Sequence, residues 1–209
     1  MASTPGCALG RAELHVRNCG LREICMKAQV LIAYCTRSGS TAEVAEAIAK
    51  TMKEAGLTVQ VQPITDVESI PADASVVLGT ALYIGHFPKD FHRFVARFEA
   101  ELAEARPWIF VLGPTEKERK HFAAAEEQAR KELGKHPSLR PADMRILGGK
   151  FDPAKLVLPF PMSLIMKVPA NPMKKMPVSD IRDWGWIKRW GQAIAEEIAA
   201  RMSVSPLVR

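Results

Sequence analysis

The chain has 209 residues, of which 47% are hydrophobic and 25% are charged, and its formal net charge is +6. This composition is ordinary for a globular protein with one packed core, and no apolar run reaches the roughly 18 residues that a membrane-spanning helix needs. The basic charge favours an anionic partner. Such a partner would be nucleic acid, a lipid surface, or a carboxylate or phosphate ligand. The alternative is a solvated basic surface without such a partner.

The first 25 residues differ from the rest of the chain. They show no strong periodicity and contain Cys7, Cys19 and Cys25, and Met26 then precedes the apolar run "AQVLIAY". We expect residues 1–25 to be an extension, either disordered or produced by an upstream start codon, and residues 26–204 to form the folded domain. Together with Cys35, the cysteines fit neither zinc-site spacing nor a Cys-x-x-Cys pair, which predicts reduced thiols, a cytoplasmic location and no metal site.

From there on, buried apolar runs alternate with amphipathic helical patterns. The predicted order is the strand "AQVLIAY", a helix from Thr41 ended by Gly56, the strands "TVQVQPI" and "ASVVLGTAL", the helix "PKDFHRFVARFEAEL", the strand "PWIFVLGPT", the helix "EKERKHFAAAEEQARKEL", the strand "DMRILGGKF" and a helix over residues 179–202. This alternation predicts an α/β fold, a doubly wound five-stranded parallel sheet with helices on both faces. Ligands of such sheets bind beyond the carboxyl ends of the strands.

The turn after the first strand is rich in hydroxyl groups and glycine. Backbone N–H groups at the start of a helix, together with hydroxyl donors, bind phosphate. The chain has neither the lysine of a G-x-x-x-x-G-K-[ST] loop nor a G-x-G-x-x-G fingerprint, so this turn suits a single terminal phosphate. The alternative is a plain turn with Ser40 as the helix N-cap. The predicted phosphate-binding residues are Thr36, Arg37, Ser38, Gly39, Ser40 and Thr41.

The pattern T-x-S-G-x-T after a first strand resembles the FMN-phosphate loop of flavodoxins. This resemblance implies a flavodoxin-like fold with FMN as the cofactor. It also implies that the loop after the third strand wraps the isoalloxazine ring, with Tyr83 stacking on the ring and Phe87 as the second choice, unless both rings only cap the core. The implied ring-binding residues are Thr80, Ala81, Leu82, Tyr83 and Gly85, followed by Gly113, Pro114, Thr115 and Glu116 after the fourth strand.

Two features of these loops leave alternatives open. The turn at Gly113 has no aromatic residue, which departs from the commonest flavodoxin pattern, so ring contact there would use backbone N–H groups. His86 is the only catalytic candidate, because it would protonate reduced flavin or face a substrate; the alternative is an ordinary surface histidine.

A longer resemblance covers residues 26–202. The segments "VVLGTALYIGHFPKDFHRFV", "LGGKFD", "LIMK" and "DWGWIKRWGQAIA" occur in this order. Together they resemble the flavodoxin-domain family that includes the bacterial oxygen-independent, menaquinone-dependent protoporphyrinogen IX dehydrogenase. The resemblance implies an FMN-dependent oxidoreductase of heme biosynthesis, which oxidises protoporphyrinogen IX and passes the electrons to a membrane quinone.

Residues 152–178 form a long connection between the last strand and the last helix. Apolar residues alternate there with lysines, a pattern that suits the surface of an anionic membrane or a porphyrin with two carboxylates. The alternatives are a loop folded on the sheet edge or a dimer contact, and the sequence leaves homo-oligomerisation open. The predicted substrate or membrane contacts are Lys167, Lys174 and Lys175, which implies a peripheral location on the cytoplasmic membrane.

Other functions remain compatible with the sequence. The chain would alternatively be a flavodoxin-type electron carrier, another FMN-dependent quinone reductase, or a binding domain without flavin. Carrier flavodoxins are usually acidic, so the net charge of +6 disfavours the carrier. Nucleic-acid binding has no motif in its support, and we expect none.

Overall fold

The computed structural model describes residues 29–152 and 178–204. Within these residues five strands form a parallel sheet in the order β2-β1-β3-β4-β5, which confirms the predicted flavodoxin-like α/β fold. The strands of this sheet are β1 (Gln29–Tyr34), β2 (Thr58–Pro63), β3 (Ser75–Ala81), β4 (Trp108–Leu112) and β5 (Asp143–Leu147). The predicted extension over residues 1–25 lies outside the described residues.

Helices cover both faces of the sheet. They are α1 (Ser40–Glu54), α2 (Lys89–Arg97), α3 (Glu99–Ala105), α4 (Arg119–Leu133) and α5 (Trp184–Val204), with a short 3-10 helix at Ile64–Asp66. In β1, Val30 and Ile32 pack in the core cluster that contains residues of α1 and α5, whereas Leu31 and Ala33 pack in the cluster of α2, α3 and α4. A strand that is buried on both faces needs a continuous apolar run, which is the pattern of "VLIA".

The predicted helix after β3 is interrupted. Phe98, with φ −112° and ψ 36°, ends α2 and precedes α3, so "PKDFHRFVARFEAEL" forms two short helices. The Phe98 ring is buried and packs against Phe94 with 5.0 Å between the ring centroids. The prediction of one continuous helix was therefore wrong.

The ends of the predicted fifth strand and last helix also differ from the structure. The strand ends at Leu147, and Lys150–Phe151 (β6) instead pairs antiparallel with Ser179–Asp180 (β7) to form a two-stranded ribbon. The last helix begins only at Trp184, because the Asp183 carboxylate accepts the Trp186 N–H at 2.8 Å and caps the helix. We call β6 and β7 the stem ribbon, because they are joined by residues 152–178, of which 153–177 lie outside the described residues.

Gly79 of β3 should be intolerant of a side chain. A Cβ atom added there would lie 2.3 Å from the Phe110 ring, which is itself fully buried on the neighbouring strand β4. We expect Gly79→Ala to lower the free energy of unfolding by about 1–3 kcal/mol, as overpacking does elsewhere. Urea denaturation measures the change.

Gly134→Ala provides the control, because Gly134 has the right-handed helical φ of −60° and an added Cβ would meet backbone at 3.4 Å. This variant should be neutral or slightly stabilising. Equal destabilisation by both substitutions would contradict the packing argument for Gly79.

Candidate functional site

The loops after β1, β3 and β4 meet at one edge of the sheet, since the carboxyl ends of parallel strands lie together. A single cleft joins them to the stem ribbon. Its lining residues are Ser38, Ser40, Ala81, Leu82, Tyr83, Leu112, Gly113, Thr115, Gly149, Lys150, Phe151 and Asp152. The structure therefore brings together residues from each of the three predicted loops.

The loop after β1 is shaped to receive an anion at the start of α1. Gly39 adopts φ 85°, and its N–H donates to Thr36 Oγ1 at 2.9 Å. The first backbone bond of the helix runs from the Glu43 N–H to the Gly39 carbonyl, so the N–H groups of residues 40–42 precede the helical hydrogen-bond pattern. Such N–H groups, with the positive end of the helix dipole, favour an anion.

Two buried hydroxyl groups at this edge have no partner among the described residues. Thr41 Oγ1, in the first turn of α1, and Thr80 Oγ1, near the end of β3, are fully buried and accept or donate no hydrogen bond. Leaving a buried hydroxyl unpaired costs about 1–3 kcal/mol. A ligand oxygen at the start of α1 would remove that cost for Thr41, so the loop fits a phosphate group.

The loop after β3 contains a tight turn over residues 83–86. The Tyr83 and His86 backbones exchange two hydrogen bonds, of 2.9 and 3.1 Å, around Ile84 and Gly85. Ile84 has φ 51° and Gly85 has φ 77°, and Ile84 is 73% exposed. A positive φ is unfavourable for a β-branched residue, so this turn is locally strained.

Tyr83 reaches from this turn to the loop after β1. Its hydroxyl oxygen accepts the Arg37 N–H at 3.1 Å, and the Arg37 guanidinium lies 4.6 Å from the centre of its ring. Burial raises the pKa of the Tyr83 hydroxyl despite the nearby Arg37, so the group stays neutral. Phe87, the second stacking candidate, is buried in the core and packs edge-to-face on Phe91, so of the two predicted stacking residues only Tyr83 lines the cleft, together with Phe151 of the stem ribbon.

The loop after β4 is held in place by the stem ribbon. The Pro114 carbonyl accepts the Gly149 N–H at 2.6 Å, and the Thr115 carbonyl accepts the Ser179 hydroxyl at 2.7 Å. Gly113 donates its N–H to Leu147 at 3.1 Å, and Leu82 donates to Leu112 at 2.8 Å. Glu116 lies outside this cleft and pairs with His121 at 3.0 Å.

Sequence reasoning missed the basic residues of the stem ribbon. The Arg182 guanidinium, just beyond β7, is 2% exposed; it contacts Asp180 at 2.6 and 2.8 Å and Glu43 at 2.8 Å, and donates to the Ser40 carbonyl at 3.3 Å. Lys150 lies 3.4 Å from Glu43. Although burial would raise the pKa of Glu43, its bonds to Arg182 and Lys150 lower it. These pairings connect segments far apart in sequence, so no local pattern indicates them.

His86 is anchored by a second residue that sequence reasoning missed. Its Nδ1 lies 3.1 Å from Glu132 Oε1, while its side chain is 73% exposed. Glu132, only 2% exposed, also accepts the Phe87 N–H, Lys135 at 2.6 Å and His92 at 2.9 Å. The sequence does contain one indication of this role, because Glu132 lies on the same helical face as the buried Ala125 and Ala129. The structure gives His86 a fixed partner.

The sequence matches one family model over most of its length. Residues 31–174 match the family described as "Flavodoxin domain". The chain belongs to this family. Flavodoxin domains bind FMN, and FMN is the cofactor of this chain. The residues above fit its phosphate, and their individual roles toward FMN stay predictions. No curated protein matches the chain.

Three solved structures of low identity are similar to this chain, and two of them reach a TM-score of 0.50. Rubredoxin oxygen:oxidoreductase from Desulfovibrio gigas is 14% identical with a TM-score of 0.50, and the match covers 85% of this chain and 38% of that one. The Flv1 flavodiiron core from Synechocystis sp. PCC6803 is 12% identical with a TM-score of 0.50, over 85% and 37%. Oxidised Flavodoxin 2 from Bacillus cereus is 18% identical with a TM-score of 0.47, over 83% and 99%.

Removal of the unpaired Thr41 hydroxyl should have different effects on FMN binding and on the free energy of unfolding. We expect Thr41→Val to weaken FMN binding about tenfold, because one hydrogen bond to the phosphate is lost. In the FMN-free protein the same change should leave the free energy of unfolding unchanged or raise it by about 1 kcal/mol, since an unpaired buried hydroxyl disappears. Flavin fluorescence titration and urea denaturation measure the two quantities.

Thr51→Val, in the same helix, is the matched control. Thr51 donates its hydroxyl to the Ala47 carbonyl at 3.1 Å, far from the loop. It should lose about 1 kcal/mol of stability and bind FMN normally. A Thr41 variant that behaves like the Thr51 variant would remove Thr41 from the phosphate site.

Glu132 should make stability depend on pH in acid. Burial would raise the pKa of Glu132, but hydrogen bonds from Lys135, His86, His92 and Phe87 lower it from 4.5 to about 2. The unfolded chain therefore binds the proton first, so this contribution is complete above pH 4.5 and is lost as the pH falls toward 2. The loss amounts to roughly 3 kcal/mol.

The measurement compares the free energy of unfolding at pH 6 and pH 2 in the parent protein, Glu132→Gln and Glu127→Gln. Glu127 is an exposed residue of the same helix. Only Glu132→Gln should reduce the loss of unfolding free energy between pH 6 and pH 2. If that variant loses as much unfolding free energy as the parent protein, Glu132 is not the titrating group.

Proposed function

We propose that the chain is an FMN-dependent oxidoreductase that oxidises a protoporphyrinogen-type substrate and passes the electrons to a membrane quinone. Electron transfer or oxidoreduction with FMN follows from the flavodoxin domain itself. The substrate and the acceptor are the parts that this proposal adds. They rest on the resemblance of the sequence segments and on where the chain attaches its basic connection.

The observation that carries the proposal is the attachment of the stem ribbon to both sides of the cofactor cleft. Lys150 and Arg182 contact Glu43 in the first turn of α1, and Ser179 and Gly149 bond the loop after β4. The connection over residues 152–178 therefore begins and ends beside the cleft. This placement supports a ligand of the connection that lies near the cofactor.

The composition of that connection supports an amphiphilic anion as its ligand. Residues 152–178 contain Lys155, Lys167, Lys174 and Lys175 but the single acid Asp152, and apolar residues lie between them. A porphyrinogen offers a large apolar ring and two propionates, which match these two kinds of side chain. The predicted contacts Lys167, Lys174 and Lys175 lie outside the described residues.

Bound FMN would supply the redox chemistry, and the residues of the chain would position the reactants. Tyr83 would border the ring, since it lines the cleft and is fixed by Arg37. His86 would keep a proton on Nδ1, because a carboxylate partner such as Glu132 accepts but does not donate. Its Nε2 would then be the atom available for proton exchange at the exposed side of the loop.

The same connection would contact the cytoplasmic membrane, where a quinone is found. None of the helices in the described part of the chain is long and apolar enough to cross a bilayer. Lysines interleaved with apolar residues favour the surface of an anionic bilayer. We therefore propose a peripheral attachment.

The first test is the anaerobic absorption spectrum of the FMN-loaded protein before and after addition of protoporphyrinogen IX. We expect the flavin band to bleach within a catalytic turnover and to return when a menaquinone analogue is added. A band that stays unchanged would reject the porphyrinogen and favour the electron carrier. Protein that takes up no FMN would contradict the cofactor itself.

Changing Lys167, Lys174 and Lys175 to Ala should raise the KM for the porphyrinogen and weaken binding to anionic vesicles, with kcat little changed. The cause is the loss of three cations that would pair with propionates or lipid headgroups. The control changes Lys50, Lys53 and Lys131, which are exposed on helices α1 and α4. If KM and vesicle binding change equally in both triple variants, the effect is one of net charge and the assigned contacts are wrong.

A further inference from the structure

Lys150 of the stem ribbon lies at the phosphate end of the cofactor cleft. It lines the same cleft as Ser38 and Ser40 of the loop after β1, although it is more than a hundred residues away in sequence. Its side chain is 25% exposed, and its Nζ is 3.4 Å from Glu43 Oε1 in the first turn of α1. The ammonium group is therefore partly desolvated and held beside the helix start.

The other cations near this loop, Arg182 and Arg37, each have a contact of their own. The Arg182 guanidinium donates to Asp180, Glu43 and the Ser40 carbonyl, at 2.6 to 3.3 Å. Arg37 stacks over the ring of Tyr83 at 4.6 Å. Among residues 29–152 and 178–204, Lys150 has one long hydrogen-bond contact for its three N–H donors, and its partner Glu43 has the shorter bond, 2.8 Å, to Arg182. Lys150 thus has donors to offer a ligand.

The balance of charge points in the same direction. The charged groups around this loop are the carboxylates of Glu43, Asp180 and Asp152 and the cations of Arg182, Lys150 and Arg37, which sum to zero. A phosphate at this loop adds up to two negative charges, and Glu43 would repel it. Neutral hydroxyl and N–H donors bind the phosphate oxygens but do not offset Glu43, whereas an ammonium beside Glu43 does.

We propose that Lys150 pairs with the phosphate of FMN and is the residue by which this site prefers FMN to riboflavin. This inference rests on FMN as the cofactor and not on the identity of the substrate. The lysine that the loop after β1 lacks is supplied from the stem ribbon. Phosphate binding and the pairing of β6 with β7 are then coupled, since Lys150 faces Asp180 across the ribbon.

The experiment measures the dissociation constants of FMN and riboflavin by flavin fluorescence, in 50 mM and 300 mM salt. Lys150→Met removes the charge and keeps the length, Lys150→Arg keeps the charge, and Lys53→Met is the control for net charge at the exposed far end of α1. We expect Lys150→Met to weaken FMN about 10- to 100-fold, as for loss of a charge-assisted hydrogen bond. Riboflavin affinity should not change, and Lys150→Arg should restore most of the loss.

Three results would decide against the proposal. Equal weakening by Lys150→Met and Lys53→Met would assign the effect to overall charge. Equal losses for FMN and riboflavin would show that Lys150 supports the fold of the cleft and does not contact the phosphate. Equal affinity of the parent protein for both flavins would exclude any phosphate contact. Failure of the parent protein to bind either flavin would instead refute the cofactor, which separates the two hypotheses.

Hydrogen exchange gives a second readout that does not depend on activity. The Ile181 N–H donates to the Gly149 carbonyl at 3.1 Å, just beyond the stem ribbon. FMN should slow exchange of this amide in the parent protein, and riboflavin should slow it less. In Lys150→Met the two flavins should act alike. Equal protection by FMN in both proteins would overturn the proposed coupling.

Discussion

The buried guanidinium of Arg182 is the interaction on which the cofactor cleft depends. It joins Asp180 of the stem ribbon, Glu43 of α1 and the Ser40 carbonyl at the start of that helix. Only the guanidinium is buried, whereas the Glu43 and Asp180 carboxylates are 46% and 36% exposed, so these two anions are what offsets the desolvation of Arg182. The loop after β1 and the stem ribbon are therefore held together, although Ser40 and Arg182 are 142 positions apart in the sequence.

The sheet could be predicted because its signals are local. The run "VLIA" is apolar throughout since β1 is covered on both faces, and Gly56, with φ 89°, follows α1 as a helix end requires. The turn after β1 and its glycine could be predicted for the same reason, as its hydroxyl groups and glycine are consecutive, and its role toward phosphate stays a prediction. Gly39 indeed adopts a positive φ.

The parts that could not be predicted depend on distant contacts. Nothing near Phe98 marks the interruption between α2 and α3, because neither glycine nor proline is present there. Lys150 and Asp180 pair although they lie at opposite ends of the long connection, and no local pattern indicates such a pairing. Residues 179 and 180 were therefore wrongly predicted to belong to the last helix. Phe87 was open to either role in the sequence, and only its contact with Phe91 places it in the core.

The antiparallel pairing of the stem ribbon has a consequence for how such proteins diversify. Phe151 and Ser179 are directly opposed, so the two chain ends at this point are neighbours. A short turn would be long enough to join these two ends, because they are neighbours. The stem ribbon is therefore a site at which the connecting segment can be exchanged. Evolution or protein engineering can replace this segment while the flavodoxin domain stays the same.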